Sequence, residues 1–388
     1  MTVNEQVPPR YESLSRLDWW DYKRIKVARA IVCGCGALGN EVIKNLALIG
    51  WGETILVDMD YVEAGNLSRS VLFTAESVGS PKTTAAAQGM KNTNPDCRVV
   101  GLNGRLQEEV GLDLVREADI VFGCLDNVEA RLELSLLCAE ADTLYLDGGL
   151  TPWEGVVSAF RPFEQDVCFS CGIGIHEMRD ITLRKSCSMF AQRVQASEGV
   201  PTTPITSSVT GALMVQEGLR YLFRDTFVER WGQGLLPGQS LRYHSGKSTI
   251  DKYSLPRNFD CRYHPEKSNT RFLRFNADMK WEEFEAVIEQ TLGPAVNFYF
   301  PVNLFYRDIG SVRHIKPASF AGELTDSSQW KPVSQIPLNS GWRVPEMLLS
   351  LGLPDGGRFY AFAQEEGEIK KVSVLIKPVL WDQLGLKE

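Results

Sequence analysis

The chain has 388 residues, 44% hydrophobic and 23% charged, with a formal net charge of −8. That balance is ordinary for a globular protein, and with no block of Lys and Arg it argues against nucleic acid as a partner. The amino end, MTVNEQVPPRYES, is too polar for a secretion signal, and no apolar run approaches the ~20 residues that span a bilayer.

The expected compartment is therefore the cytoplasm, and the length predicts roughly two to three domains. The nine cysteines are odd in number and scattered, with Cys33, Cys124 and Cys138 inside apolar runs. Without a secretion signal they read as free thiols, metal ligands or nucleophiles, not disulfides.

Residues 1 to about 26 are a polar lead-in that turns helical around Leu14 to Lys26. Arg10, Arg16 and Trp19-Trp20 stand out there; packing of the aromatics on the domain surface is one reading. Val27 to Val32 reads as a buried parallel strand, broken by Gly34-Cys35-Gly36-Ala37-Leu38-Gly39. An amphipathic helix follows through about Leu48, Gly50 and Gly52 mark a turn, and Thr54 to Val57 makes the next strand, closed by Asp58 and Asp60. Strand, glycine turn, helix, strand, acid is the dinucleotide-binding fingerprint in its proper context. Gly34 permits the tight turn, Gly36 lets backbone N–H groups approach a phosphate, and Gly39 lets the helix pack close. The helix N-terminus favours an anion, and Asp58 or Asp60 is placed to accept from ribose hydroxyls.

Asn66-Leu67-Ser68-Arg69 comes next, then Val78-Gly79-Ser80-Pro81-Lys82 leading into a helix from Thr83 to Met90. Arg69 and Lys82 are cations on the far side of such a crevice. Asn94-Pro95 ends the helix, and Val99 to Leu102 is a short strand. Ala118 to Asn127 is an apolar strand ending in Asp126, a position suited to Mg²⁺ or phosphate chemistry, or else to capping the next helix, which carries Arg131. Leu144 to Asp147 is a strand closed by Gly148-Gly149, and Gly155 to Phe160 is another.

Cys168-Phe169-Ser170-Cys171 and the distant Cys261-Arg262-Tyr263-His264 supply three thiols and an imidazole, the donor pattern of structural zinc. Cys187 stands apart behind Arg184 and Lys185, cations that favour its thiolate. The alternative is an ordinary loop cysteine. A helix from Ser208 to Leu222 follows, and His244-Ser245-Gly246-Lys247-Ser248 is rejected as a phosphate loop because Leu241 stands where a glycine is needed.

From about Asn269 the pattern changes to a smaller α+β domain. Its expected parts are strands at Phe272–Phe275 and Asn297–Tyr306, with Pro301 marking an edge or a break, and helices at Trp281–Leu292 and Pro345–Leu351. A long loop is expected from Ala318 to Asn339, and a hairpin-like end from Arg358–Phe362 and Lys370–Ile376.

The glycine turn, the acid pair, Asn66-Leu67-Ser68-Arg69, Pro81-Lys82, Asn94-Pro95 and Asp126-Asn127-x-x-x-Arg131 occur in one order and spacing. Over roughly residues 10 to 265 the chain resembles the superfamily of ubiquitin-activating enzymes and their relatives that adenylate sulfur-carrier proteins, the ThiF and MoeB type. The resemblance implies an α/β, Rossmann-like adenylation domain over 1–268 with a structural zinc site, followed by an α+β protein-recruitment module over 269–388.

It implies ATP and Mg²⁺, with Asp58 and Asp60 near the ribose, Asp126 on the metal, and Asn66, Arg69 and Lys82 neutralising the phosphates. Zn²⁺ would sit at Cys168, Cys171, Cys261 and His264. Relatives insert an arginine from the amino-terminal segment, often that of a partner subunit and usually in Arg-Tyr-x-Arg; here Arg10-Tyr11-Glu12-Ser13 lacks the second arginine, and Arg16 resembles the variant of some relatives, which implies a homodimer. The usual Asn-x-x-Arg-Gln ends here in Ser70. Members that form thioesters carry the nucleophile just before the helix that follows Cys187. The implied activity is adenylation of a ubiquitin-like protein's C-terminal glycine, thioester capture on Cys187 and transfer to a conjugating enzyme, a scheme that some bacterial antiphage systems use. The alternative is a sulfur-carrier adenylyltransferase without thioester transfer.

Overall fold

The computed structural model describes residues 7–161, 167–173, 202–261 and 264, positions 286 and 290, and the backbone of eight strands between 271 and 376. The chain divides into two compact units. One comprises Met1–Gln107, Val115–Pro265 and Trp381–Glu388; the other comprises Glu108–Leu114 and Glu266–Leu380.

The first unit is built on β1 (Arg29–Cys33), β2 (Glu53–Asp58), β3 (Arg98–Asn103), β4 (Ile120–Gly123) and β5 (Leu144–Leu150), all parallel. β6 (Glu154–Phe160), β7 (Gln239–His244) and β8 (Thr249–Ser254) continue the sheet antiparallel, in the order β3-β2-β1-β4-β5-β6-β7-β8. Ala30 to Cys33 are all buried, as a parallel strand covered on both faces requires.

The helices are α1 (Tyr22–Lys26), α2 (Ala37–Ile49), α3 (Lys82–Thr93), α4 (Leu106–Glu109), α5 (Leu112–Glu117), α6 (Val128–Ala141), α7 (Pro204–Leu222) and α8 (Arg224–Trp231). Val42, Ile43 and Leu46 of α2, Met90 of α3 and Met214, Val215 and Leu219 of α7 share one core with Ala30, Val32, Leu56 and Phe122 of the sheet. α6 lies against β4 and β5. Among the described residues no helix is long and apolar enough to cross a membrane.

Several expectations need correcting. The amino-terminal segment is not one helix from Leu14 to Lys26 but a 3-10 turn, Leu14–Arg16, followed by α1. Asp21 restarts the helix by accepting the Lys23 N–H at 2.9 Å. The aromatics do pack on the domain: Trp20 is 6% exposed, and Trp19 meets Phe227 with ring centroids 4.9 Å apart. β5 runs through Gly148-Gly149 to Leu150, because β6 pairs with it over that stretch. The rejected phosphate loop is the tight turn between β7 and β8.

In the second unit β14 (Ile336–Pro337), β10 (Val296–Tyr299), β15 (Arg358–Glu365), β16 (Glu368–Ile376) and β9 (Arg271–Phe275) form one sheet in that order. β12 (Val312–Pro317), β11 (Leu304–Ile309) and β13 (Lys331–Val333) form another. The strand expected over 297–306, with an edge or a break at Pro301, corresponds to β10 and β11, which belong to different sheets. The stretch expected as a long loop, 318–339, contains β13 and β14. The hairpin at the end forms as expected, β15 antiparallel to β16. Helices expected at 281–292 and 345–351 lie outside the described residues.

Candidate active site

β1 is followed directly by Gly34, whose φ of 93° favours glycine and whose N–H donates to the Val57 carbonyl at 2.8 Å. A Cβ on Gly34 would lie 2.4 Å from the Cys124 carbonyl oxygen, and one on Gly39 1.9 Å from the Gly34 carbonyl oxygen. A Cβ on Gly36 would meet nothing within 4 Å; it would project into a cavity of about 1150 Å³. That volume exceeds what a drug-sized ligand needs. α2 begins at Ala37, so its unpaired N–H groups and positive dipole end open at the cavity wall.

Asp58, at the carboxyl end of β2, uses both oxygens locally: Oδ2 accepts the Cys35 N–H at 2.6 Å and Oδ1 the Asp60 N–H at 2.9 Å. Burial pushes its carboxyl above the ordinary range, against those N–H donors and Lys82. Asp60 is the exposed member of the pair, and its Oδ2 accepts from Lys82 Nζ at 2.7 Å. Burial alone would lower Lys82, but its bond to Asp60 and the charges of Asp58, Asp60 and Asp126 raise it above its ordinary value. The first residue of α3 thus carries a firmly protonated ammonium into the cavity.

Asn66 lies in a 3-10 turn, Ala64–Ser68, where its Oδ1 accepts the Glu63 N–H at 3.0 Å. Arg69 donates to the Gly65 carbonyl at 2.9 Å and has no carboxylate in ion-pair range among the described residues. Asp126 is exposed just beyond β4. Gly34, Gly36, Asp58, Asp60, Asn66, Arg69, Lys82 and Asp126 all line this one cavity, with Gly39 packed behind the turn.

Arg16 does not line it. Its side chain is 75% exposed and pairs with Glu12 at 2.8 Å. Cys187 lies outside the described residues.

Two contributors escaped the sequence reading. Buried Asn40 donates to the Cys35 and Gly36 carbonyls at 2.7 and 3.1 Å and accepts the Leu72 N–H at 2.9 Å, tying the glycine turn to the loop after Arg69. Its signal was an amide on the apolar face of α2. Arg105, exposed beyond β3, adds another cation to the cavity lining, and its position at a strand's carboxyl end was the available clue. Arg131 also lines the cavity; its guanidinium forms a two-point ion pair with Asp147, with Nε donating to Oδ1 at 2.9 Å.

The second cluster gathers Cys168, Cys171, Cys261 and His264, whose donor atoms all lie within 4.8 Å of one another. Cys168 Sγ is 3.7 Å from both Cys171 Sγ and Cys261 Sγ, and Cys171 Sγ is 3.7 Å from His264 Nδ1. Sulfurs bound tetrahedrally to zinc at about 2.3 Å stand about 3.8 Å apart, so the donors fit such an ion. Burial pushes the Cys168 thiol up. The Cys171 thiol is drawn down, because N–H donors of the loop and His264 outweigh its burial.

Among curated proteins, the chain is 32% identical over 172 residues to the molybdopterin-synthase adenylyltransferase of Salmonella typhimurium, spanning 44% of this chain and 69% of that protein. It is 29% identical over 218 residues to ubiquitin-like modifier-activating enzyme 5 of Drosophila virilis, 52% of each. It is 31% identical over 144 residues to the ThiS sulfur-carrier adenylyltransferase of Escherichia coli, 37% of this chain and 57% of that one. The matched regions of the last two are thus little more than half of those proteins. The crystal structure of E. coli MccB with ATP superposes with a TM-score of 0.53 at 21% identity, over 68% of this chain and 75% of that one, a likeness of fold. Residues 11–263 match the ThiF family model, and the chain belongs to the ThiF family.

Proposed function

We propose that the protein is an ATP-dependent adenylyltransferase acting on the C-terminal glycine of a ubiquitin-like protein, which it then carries as a thioester on Cys187. The observation that supports this most is the convergence of the Gly34–Gly39 turn, Asn66, Arg69, Lys82 and Asp126 on one cavity. The named activities of its relatives agree with the adenylation step.

In that reaction a carboxylate oxygen of the terminal glycine attacks the α-phosphorus of ATP. The bond to the bridging oxygen breaks, and pyrophosphate leaves with the electron pair. Asn66, Arg69 and Lys82 neutralise charge gathering on the phosphoryl oxygens, and the α2 N-terminus adds oriented N–H groups; positioning and electrostatics carry such a transfer. Asp60, and Asp58 behind it, serve the ribose hydroxyls. Asp126 would hold Mg²⁺, which when bound supplies further charge neutralisation. The Cys187 thiolate would then attack the glycine carbonyl carbon, releasing AMP. Cys168, Cys171, Cys261 and His264 would hold a structural Zn²⁺. A homodimer would bring Arg16 to the neighbouring cavity, and residues 269–388 would recruit a conjugating enzyme or the modifier.

The second reading, a sulfur-carrier adenylyltransferase without thioester transfer, is favoured by the matches at 32% and 31% identity. Pyrophosphate exchange and intact mass, with candidate carrier and Mg-ATP, separate the two. Exchange by both wild type and Cys187→Ala, with a reductant-sensitive adduct on wild type alone, is expected. Exchange with no adduct on either leaves the second reading, and no exchange with any carrier overturns both.

A further inference from the structure

The cavity and the Cys/His cluster meet through one aromatic ring. Phe169 follows Cys168 directly and precedes Cys171 by two positions, so two buried thiols set its backbone. Its ring packs edge-on against Phe160, centroids 5.9 Å apart at 89°, and stands 5.1 Å from the guanidinium carbon of Arg131. Arg131 is also held by Asp147, whose Oδ1 accepts the Tyr145 hydroxyl at 2.7 Å as well. Gly149 also stands close, since a Cβ there would lie 3.3 Å from an Arg131 amino nitrogen. The two-point pair with Asp147 orients the guanidinium, and the Phe169 ring is the aromatic group within cation–π reach of it.

We infer that Phe169 is a positioning residue that couples the ligation state of the Cys/His cluster to the placement of Arg131, and so to the cavity's affinity for an anionic ligand. The cluster's donors come from chain positions 168–171, 261 and 264, brought together across 93 residues of sequence. Within the short turn, Phe169–Gly172, the backbone bonds are Cys171 N–H to Cys168 at 3.0 Å and Ile173 N–H to Ser170 at 3.3 Å. With the thiols gathered on an ion, the ring is pinned under Arg131. With the thiols released, the turn loses the restraint of the cluster, and the ring's attraction for the cation falls away with distance. Arg131 then keeps Asp147 but loses the stop that holds it toward the cavity. The choice of ATP phosphates as the anion rests on the adenylyltransferase reading.

The test uses the full-length wild type, Phe169→Leu and Phe169→Tyr, with bound zinc counted, before and after chelation under reducing conditions. The Nε–H resonance of Arg131 is followed in arginine-labelled protein, assigned with Arg131→Lys, and Mg-ATP affinity is followed by titration calorimetry. In wild type and Phe169→Tyr, chelation is expected to shift the Arg131 resonance and weaken Mg-ATP about three- to tenfold. Phe169→Leu is expected to begin at the weakened affinity and lose no more. If chelation unfolds the wild type, the metal-loaded proteins decide: the leucine variant is weak and the tyrosine variant normal. A leucine variant isolated without metal is compared with stripped wild type, and unequal affinities overturn the inference. So does an Arg131 resonance indifferent to metal, or a leucine variant that loses as much on chelation as wild type. If no protein binds Mg-ATP, the nucleotide reading fails, while the Arg131 resonance still decides the coupling.

Discussion

Alanine at Gly39 puts a methyl carbon 1.9 Å from the Gly34 carbonyl oxygen, whereas alanine at Gly36 puts one in open space, with nothing within 4 Å. Ordinary contact begins near 3.4 Å, so Gly39→Ala requires the start of α2 and the turn to separate by roughly 1.5 Å. Both partners are backbone, and no flexible side chain can give way. Overpacking of this kind costs about 1–3 kcal/mol. The displacement also moves the helix N-terminus that faces the cavity, and about 1 Å of misplacement can cost about 100-fold in rate. Gly36→Ala should do the opposite. Gly36 has φ −71° and ψ −160°, accessible to alanine, so stability should change by only a few tenths of a kcal/mol. Its methyl group would obstruct a phosphate approaching the N–H groups. Urea denaturation and pyrophosphate exchange at varied ATP check both variants: Gly39→Ala loses stability and rate together, while Gly36→Ala keeps its stability and raises the KM for ATP. Wild-type ATP dependence in Gly36→Ala would refute the placement of the phosphates at this turn.

Lys82→Met should lower pyrophosphate exchange about 100-fold or more. Lys82 titrates above its ordinary 10.5, so its contribution to stability is present below that pH and lost as pH rises through the higher folded value. Melting curves of wild type and variant should therefore converge at alkaline pH, and a gap that widens there would contradict the ion pair with Asp60. Metal analysis should find one zinc per chain, and chelation should lower the melting temperature because the site's binding energy is folding energy; a metal-free chain melting at the same temperature would discount the cluster. Asn94→Ala removes bonds to the Tyr11 hydroxyl and the Ala47 carbonyl at 2.6 and 2.7 Å, both buried, and should cost about 1–3 kcal/mol in urea without changing the KM for ATP.

The parts of this molecule legible in sequence are those with short-range causes. The glycine turn, the strand-end acids and the CxxC with CxxH are fixed by local backbone and ligand chemistry, and they converge as their types suggest. What escaped depends on pairing across the sheet or on tertiary packing. Gly148-Gly149 reads as a break, yet β6 pairs through it. Asn94-Pro95 reads as a helix stop, yet Asn94 also fastens Tyr11. Pro332 reads as loop, yet it sits in β13, paired opposite Phe305 on β11. Asn40 was hidden because a buried amide declares itself only through partners distant in sequence, here Leu72.

The amino-terminal segment is pinned at two points. Tyr11 is 3% exposed and its ring fills the space beside Gly50, while Trp20 is 6% exposed. Arg16 lies on the tether between these anchors. A chain spans at most about 3.5 Å per residue, so its Cα can stray no farther than about 18 Å from Tyr11 and about 14 Å from Trp20. Any second copy whose cavity received this guanidinium would have to place that cavity inside the overlap of those two spheres, extended by one arginine side chain. The molecule's own anchors thereby set a radius that an assembly must satisfy before Arg16 can serve it.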